Sequence, residues 1–288
     1  MTWFIFAFLS AIFDATYFAS VKKILNNVDK YVLASGIFLS SFIIMGTISI
    51  VKGVPNLGEG LIIAIVGGAF FNITATIFVY KALELADLSL AVPMMSFTPI
   101  FLIFTSLFLL NEIPTLWGIL GITLIVIGSY LINISKGNKS LLDPLRNLIR
   151  NKGILYMLIA ALLASFSASF DKMLVQNSDI FFGTSIDFFL LGIFFLFISF
   201  LKDGKDVIKI YHNNIHKFFI VGAILALVAI FMNIAFTMQI ASYVISIKRL
   251  SILIAVIFGG LLFKEKNFTK RLLGAGIMVI GAILIILL

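Results

Sequence analysis

Residues 109–132 read LLNEIPTLWGILGITLIVIGSYLI, and residues 262–285 read LFKEKNFTKRLLGAGIMVIGAILI. Laid over each other with a shift of 153, the two stretches are identical at nine of 24 positions. Apolar residues match by chance in a chain so rich in Leu and Ile, so the informative matches are one glutamate and two glycines that recur. These are the pairs Glu112/Glu265, Gly121/Gly274 and Gly128/Gly281. The repeat indicates a chain built from two similar halves.

The composition places both halves in a membrane. Of the 288 residues, 61% are hydrophobic and 12% are charged, and the mean hydropathy is +1.18. Soluble domains carry about 25% charged residues, so this chain lacks the polar residues that a water-facing surface requires. Its apolar runs are long and unbroken, whereas the strands of a membrane β-barrel alternate over about ten residues. We therefore predict an all-α integral membrane protein.

Apolar runs of about 20 residues, the length that crosses a bilayer as a helix, occur ten times. The predicted spans are residues 3–21, 31–51, 61–80, 88–110, 116–134, 153–170, 180–201, 218–238, 240–263 and 272–288. The first contains Asp14 and has no basic residue before it, so we interpret it as a retained helix rather than a signal peptide. A polar connector, residues 135–152, separates a first repeat at 1–134 from a second at 153–288.

Five spans in each repeat have a topological consequence. Because five is odd, the two repeats must insert with opposite orientations. Inverted repeats are an architecture of secondary transporters, in which the substrate site lies near the membrane midplane between the repeats.

Each half also ends in the same order: an apolar span, a short turn containing Glu, and a span with spaced glycines, at residues 101–132 and 253–285. This arrangement resembles the EamA repeat of the drug/metabolite transporter superfamily. The resemblance implies a fold of ten transmembrane helices and movement of a small metabolite or drug by alternating access. Members of the superfamily carry amino acids, nucleotide sugars and phosphorylated sugars, so the resemblance names no substrate.

Two adjacent cations interrupt the ninth predicted span. Lys248 and Arg249 are the only charges in Ile240–Phe263, and each costs about 2.5–3.5 kcal/mol at such a depth on insertion scales. Arg offers a planar fork and Lys a point charge, a combination suited to phosphate or carboxylate. The alternatives are a structural ion pair with Asp14 or Asp187, or snorkelling to the headgroup layer. The pair resembles the phosphate-binding cations of the sugar-phosphate/phosphate translocator branch, and Lys172 resembles a second lysine of that branch.

Two acidic residues lie inside predicted spans. Asp14 is midway along the first span, and Asp187 is seven residues into the seventh. Ionisable residues at membrane depth are usually functional. Each is a candidate coupling carboxylate, cation ligand or charge partner of the Lys248-Arg249 pair.

Polar side chains follow one face of the third span. Asn72, Thr76 and Tyr80 are spaced at i, i+4 and i+8, and Asn233 repeats the pattern in the eighth span. Such a stripe lines a cavity or forms hydrogen bonds between helices. In the ninth span, Ser246 shares a face with Arg249, and Tyr243 lies beside it. We predict that these residues surround the substrate.

Several functional classes find little support. The chain has no cysteine, and His212 and His216 alone do not make a metal site, so we predict no metal and no cofactor. No HExxH or catalytic serine motif indicates an enzyme, and no repeated filter loop indicates a channel. A scaffold would not explain paired cations at membrane depth. The net charge of +8 belongs to the loops and does not indicate nucleic acid, so the expected partners are a small-molecule substrate and lipid, with the chain as monomer or homodimer.

The loop charges also predict an orientation. Seventeen of the 21 lysines and arginines lie in connectors that follow odd-numbered spans. The positive-inside rule then places those connectors in the cytoplasm and both termini outside, whereas members of the resembled family are often drawn with both termini inside.

The function predicted from these features is secondary active transport of a small metabolite, with an anionic group, across the cell membrane. An alternative is export of amino acids or organic cations through Asp14 or Asp187. A non-transport membrane scaffold or enzyme is a more remote alternative.

Overall fold

The computed structural model describes residues 2–86, 91–132, 151–204, 206–254 and 268–288. Within these ranges the chain is helical and contains no strand. The helices are α1 (Thr2–Leu25), α2 (Lys30–Lys52), α3 (Leu61–Leu85), α4 (Thr98–Leu110), α5 (Leu116–Ile132), α6 (Lys152–Gln176), α7 (Phe182–Asp203), α8 (Asp206–Phe236), α9 (Ala241–Lys248) and α10 (Phe268–Ile286). A 3₁₀-helix, Val92–Phe97, leads directly into α4.

Six of the described helices are long and apolar enough to cross a membrane, namely α1, α2, α3, α6, α7 and α8. Shorter apolar helices cover Met94–Leu110, Leu116–Leu131 and Leu273–Ile286. The all-α class and the presence of several apolar spans are therefore confirmed. The number of ten spans stays a prediction, and residues 255–263 of the ninth span lie outside the described residues.

Two predicted boundaries were wrong. Residues 206–217 were assigned to a polar connector, but they form the first turns of the 31-residue α8. No proline or glycine lies between Asp206 and Val221 to end the helix. The sixth span was predicted to end at Phe170, but α6 continues to Gln176 and includes Asp171 and Lys172.

The fourth and ninth segments both depart from α-helical geometry at equivalent places. Residues 92–97 form a 3₁₀-helix with proline in its first turn, and Pro99 opens α4, as expected of a residue that cannot donate to the helical ladder. α9 ends at Lys248, and the Leu250 N–H donates to the Ile247 carbonyl at 2.9 Å, an i→i−3 bond. With the shift of 153, residues 245–250 fall on 92–97. Such breaks often mark functional hinges.

Helices of one half pack mainly against helices of the other, in the pairs α3–α6, α5–α10, α2–α7 and α1–α8. In the α2–α7 pair, Tyr31 stacks on Phe195 and Phe42 contacts Phe189, so the two helices run antiparallel. Antiparallel contact between the second helices of the two halves agrees with opposite orientations of the repeats.

The repeated glycines lie where α5 crosses α10. A Cβ on Gly121 would stand 2.8 Å from the Gly281 carbonyl oxygen, and a Cβ on Gly128 would stand 2.5 Å from that of Gly274. These distances are shorter than real Cβ contacts, so the backbones touch only because side chains are absent. The glycines that recur in the two halves therefore lie at a close helix contact.

Candidate functional site

A cavity of about 200 Å³ lies between the two halves. Its walls are largely apolar and come from α1, α2, α3 and α4 of the first half and from α6, α7, α8 and α9 of the second. Eight of the ten residues predicted for substrate or coupling roles line this cavity. They are Asp14, Asn72, Thr76, Tyr80, Asp187, Asn233, Lys248 and Arg249.

The two cations in the cavity differ in their partners. Lys248 Nζ lies 3.2 Å from Asp14 Oδ1, and the Ser251 hydroxyl donates to Asp14 Oδ2 at 3.4 Å. Arg249 is 5% exposed, and its Nε has no hydrogen-bond partner among the described residues. The ion-pair alternative therefore holds for Lys248. The guanidinium of Arg249 is the cation with an unused donor.

Both cations of the cavity lie at the C-terminal end of α9. α9 ends at Lys248, and Arg249 follows in its C-cap position. Neighbouring side chains on a helix point about 100° apart, and both of these border the cavity. At the end of a helix the carbonyl groups also carry partial negative charge, which favours cations there.

An acidic group occupies another part of the same cavity. Asp171 and Asp187 lie on α6 and α7, and the Asn72 amide nitrogen donates to Asp171 Oδ1 and to Asp187 Oδ2, both at 3.0 Å. The Ser167 hydroxyl forms a short hydrogen bond to Asn72 Oδ1 and lies 3.4 Å from Asp171 Oδ2. Oδ1 of Asp187 is buried without a hydrogen-bond partner in the described part of the chain.

The remaining polar lining residues join helices together. The hydroxyls of Tyr17 and Tyr80 are 3.0 Å apart and connect α1 to α3. Asn233 donates to Thr184 Oγ1 at 2.7 Å and to the Ile180 carbonyl at 3.1 Å, which connects α8 to α7. Both alternatives for the polar stripe therefore apply, since Tyr80 and Asn233 line the cavity and also bond between helices.

Tyr243 and Ser246 are not among the residues that line the cavity. The Tyr243 hydroxyl accepts a hydrogen bond from the Thr115 N–H at 3.0 Å, at the start of α5. The Ser246 hydroxyl donates to the Ser242 carbonyl within α9 at 2.6 Å. The hydrogen bonds of both hydroxyl groups are therefore made away from the cavity.

A second buried network, made of an ion pair and hydrogen bonds, connects the end of α6 to two turns. Lys172 forms an ion pair with Glu112 and donates to the Gln239 carbonyl at 2.6 Å. The other carboxylate oxygen of Glu112 accepts from the Ala241 N–H at 2.8 Å. The network ties together the α4–α5 turn, the last turns of α6 and the α8–α9 turn. Lys172 does not line the central cavity.

Sequence reasoning missed Asp171 and Ser167. The apolar run stops at Phe170, and reading that stop as the end of the span placed Asp171 in a loop. The useful signal is the spacing of Ser167 and Asp171, four residues apart and therefore on one helix face. No Pro or Gly follows until Gly183, so nothing in the sequence requires the helix to end at Phe170.

The family model of the EamA-like transporter family matches residues 1–134 and 151–287. The chain belongs to the EamA-like transporter family. It is therefore a multi-pass membrane protein of a family of transporters in the drug/metabolite transporter superfamily. The resemblance found in the glycine-spaced spans is confirmed.

A solved structure described only as "Crystal structure of protein" matches with a TM-score of 0.70 and 13% sequence identity, covering 99% of this chain and 96% of that chain. At this identity the match shows that the two chains share a fold, and it does not indicate what the EamA-like chain transports. No curated protein sequence matches the chain.

Proposed function

We propose that this EamA-like protein is a secondary active transporter that moves a small metabolite with an anionic group across the cell membrane by alternating access. The observation that carries the proposal is Arg249, a buried guanidinium that faces the central cavity with an unpaired Nε. A phosphate or carboxylate would supply the missing acceptor, and charge-assisted bonds of this kind are about twice as strong as neutral ones.

The arrangement of helices supports alternating access. The proposed fold has ten spans in two inverted repeats, residues 1–134 and 153–288, joined by residues 135–152. The antiparallel α2–α7 contacts and the Gly121–Gly281 and Gly128–Gly274 approaches relate equivalent helices of the two repeats. A cavity enclosed by both repeats opens to either side when one repeat rocks against the other.

Within the cavity, the other polar residues have distinct proposed roles. Lys248 and Asp14 hold each other in place, which leaves Arg249 to bind the anionic group. Asn72, Thr76, Tyr80 and Asn233 line the walls and offer hydrogen bonds to the rest of the cargo. A cavity of about 200 Å³ suits a small metabolite.

A second candidate cargo carries a cationic or amino group. The unpartnered Asp187 Oδ1 favours it, because a buried carboxylate oxygen without a donor would accept a hydrogen bond from an ammonium. Export of amino acids or organic cations would then use the acidic side of the cavity.

Thermal-shift measurements on the purified protein distinguish the two candidates. The probes are inorganic phosphate, acetate and tetraphenylphosphonium, each tested on the wild type and on Arg249→Gln. A ligand at about 100 times its Kd adds about 2.7 kcal/mol of stability, which is readily measured. We expect an anion to stabilise the wild type and not Arg249→Gln.

The matched control is Lys217→Ala, which removes an exposed cation that bonds to Asn214 away from the cavity. It should respond to anions as the wild type does. If tetraphenylphosphonium stabilises all three proteins equally and neither anion stabilises any of them, the anion proposal fails.

A further inference from the structure

We propose that Asp171 and Asp187 share one exchangeable proton, and that the Asn72 bridge between the two repeats sets how tightly this proton is held. The role of this proton as the coupling ion rests on the transport function proposed above. The existence of the site does not, because it follows from the hydrogen bonds around the two carboxyl groups.

A count of hydrogens shows that the group is short of a donor. Asn72 supplies two amide hydrogens and Ser167 one hydroxyl hydrogen. Five oxygen atoms surround them, four on the two carboxyl groups and one on the amide. Since Ser167 bonds to the amide oxygen, Asp171 Oδ2 keeps only a long contact of 3.4 Å to the same hydroxyl. Asp187 Oδ1 has no donor within the described residues.

The charges of Asp171 and Asp187 also favour a shared proton. Asp187 is 4% exposed, and neither it nor Asp171 takes part in an ion pair within the described ranges. Two carboxylates joined by a single amide cannot both stay ionised at low cost in such a place, and sharing a proton resolves the conflict. One O–H bond, formed on either carboxyl group with a proton from water, removes one negative charge and adds the missing donor.

The other ionisable groups that line the cavity do not remove the need for Asp171 and Asp187 to share a proton. Those that line the same cavity are Asp14, Tyr17, Tyr80, Lys248 and Arg249. The ammonium of Lys248 is already paired with Asp14. α2, α4 and α8 also contribute to the cavity wall, but in the described chain they add no ionisable side chain to it.

A proton fits this site better than a metal cation. The Asn72 nitrogen, a donor, occupies the place between the carboxyl groups where a metal ion would need an oxygen ligand. Among the described residues, no group of three or more His, Cys, Asp or Glu side chains is arranged to hold a metal.

The site spans the boundary between the repeats. Asn72 belongs to α3 of the first repeat, whereas Asp171 and Asp187 belong to α6 and α7 of the second. Hydrogen bonds to an ionised carboxyl group stabilise its charge, so a movement that separates α3 from α6 and α7 changes the proton affinity of the pair. Protonation and repeat motion are therefore linked, as coupling requires.

Infrared titration of the full-length protein in lipid nanodiscs, without any cargo, tests the proposal. We expect a protonated-carboxyl band that disappears as the pH is raised, in the wild type and in the control Asp206→Asn, which changes an exposed carboxylate. Because sharing needs both carboxyl groups, the band should disappear or titrate at a different pH in both Asp171→Asn and Asp187→Asn. If the wild type shows no such band, or either substitution leaves the band and its midpoint unchanged, the shared proton is ruled out.

Asp187→Glu covers the case in which an Asn variant does not fold, because it keeps the carboxyl group and displaces it by one methylene. Its titration midpoint should differ from that of the wild type, and an identical midpoint overturns the proposal. Asn72→Ala should move the midpoint by about one pH unit, the tenfold change in affinity expected when a hydrogen bond to a charged group is lost. An unmoved midpoint would show that the Asn72 hydrogen bonds do not set the proton affinity, and would contradict the proposed link between protonation and repeat motion.

Sodium and Gly68→Ala separate a proton from a metal ion. A Cβ on Gly68 would lie 3.8 Å from Asp187 Oδ1 and 4.0 Å from Asp171 Oδ1, an ordinary contact that leaves no space for a metal on that side. The titration should persist in Gly68→Ala and should not depend on whether the salt is sodium or choline chloride. Loss of the band in Gly68→Ala, or a midpoint that follows sodium concentration, would assign the site to a metal ion. Failure of anion binding at Arg249 would leave all these titrations unchanged.

Discussion

Lys22 and Lys172 overlay when the first helix of one repeat is set on that of the other with a shift of 150. Each donates its ammonium to backbone carbonyl oxygen where the third helix of its own repeat ends. Lys22 bonds to the carbonyls of Leu83 and Ala86, and Lys172 bonds to that of Gln239. A cation at the end of a helix offsets the negative partial charge of the unpaired carbonyl groups. In the second repeat the lysine is also paired with Glu112.

The Lys172–Glu112 pair is expected to matter for stability because both side chains are nearly buried, at 5% and 11% exposure. Glu112→Gln should lower the free energy of unfolding by about 3–5 kcal/mol, since it leaves a buried ammonium without its counterion. Denaturant or thermal unfolding in detergent measures the loss. The matched control is Glu84→Gln, which breaks the more exposed pair with Lys30 and should cost less than about 1 kcal/mol. Equal effects of the two substitutions would contradict the burial argument.

Because Lys248 and Asp14 form an ion pair, we expect a substitution of Asp14 to restore stability that is lost when Lys248 is replaced. Lys248→Met alone should be strongly destabilising, because Asp14 is 4% exposed and would remain as a buried, uncompensated carboxylate. Adding Asp14→Asn should restore most of the lost stability, since removing both members of a buried pair is often close to neutral. The unfolding temperatures of the single and double variants measure this. A double variant no more stable than Lys248→Met would show that the pair does not act as a unit.

Arg249 should behave differently from Lys248. Its Nε has no partner among the described residues, so Arg249→Gln removes a buried charge without breaking a bond at that nitrogen. We expect this variant to unfold at a temperature no lower than the wild type, while losing the anion response described above. A large fall in unfolding temperature would instead indicate a structural role for the guanidinium.

The glycine crossing of α5 and α10 gives a steric prediction. Gly128→Ala places a methyl group against the Gly274 carbonyl and should cost about 1–3 kcal/mol, the usual range for overpacking. Gly276→Ala, also in α10, meets nothing within 4 Å and should be neutral or stabilising by up to about 1 kcal/mol. Unfolding of both variants in the same detergent makes the comparison. A Gly128→Ala variant that is no less stable than Gly276→Ala would contradict a tight backbone contact at this crossing.

The distribution of Lys and Arg predicts the sidedness of the chain. With seventeen of 21 cations after odd-numbered spans, both termini are expected outside the cytoplasm. A compartment-sensitive reporter fused after Leu288 should give a non-cytoplasmic signal. A cytoplasmic signal would reverse the orientation and agree with the usual drawing of the family.

Much of the architecture could be predicted from the sequence because it depends on periodic, local signals. Long apolar runs mark the helices, and the recurring Gly121 and Gly128 mark the place where two helices touch. Lys248 and Arg249 could be found because a charge at membrane depth has a high free-energy cost. A charged residue inside an apolar run is therefore easy to recognise as a functional candidate.

The acidic half of the site could not be found in this way. Asp171 lies at the end of an apolar run, where a charge looks like a loop residue until the helix is seen to continue. The pairing of Asp171 with Asp187 through Asn72 depends on how three helices from two repeats meet, which no local pattern encodes. The place of Ser246 also depends on tertiary packing, because sharing a helix face with Arg249 does not decide which neighbours each side chain meets.

The close contact between α5 and α10 at their glycines has a mechanical consequence. Where Gly121 faces Gly281 and Gly128 faces Gly274, backbone lies against backbone, and the side chains of Ile125, Met278 and Ile285 pack into the space that the glycines leave. Elsewhere the repeats meet through stacked rings such as Phe71 on Phe166, which must unpack before the surfaces can slide. Because the backbones already touch at the glycine crossing, a change in the angle between α5 and α10 would pivot about that point, whereas the stacked rings between α3 and α6 would have to separate.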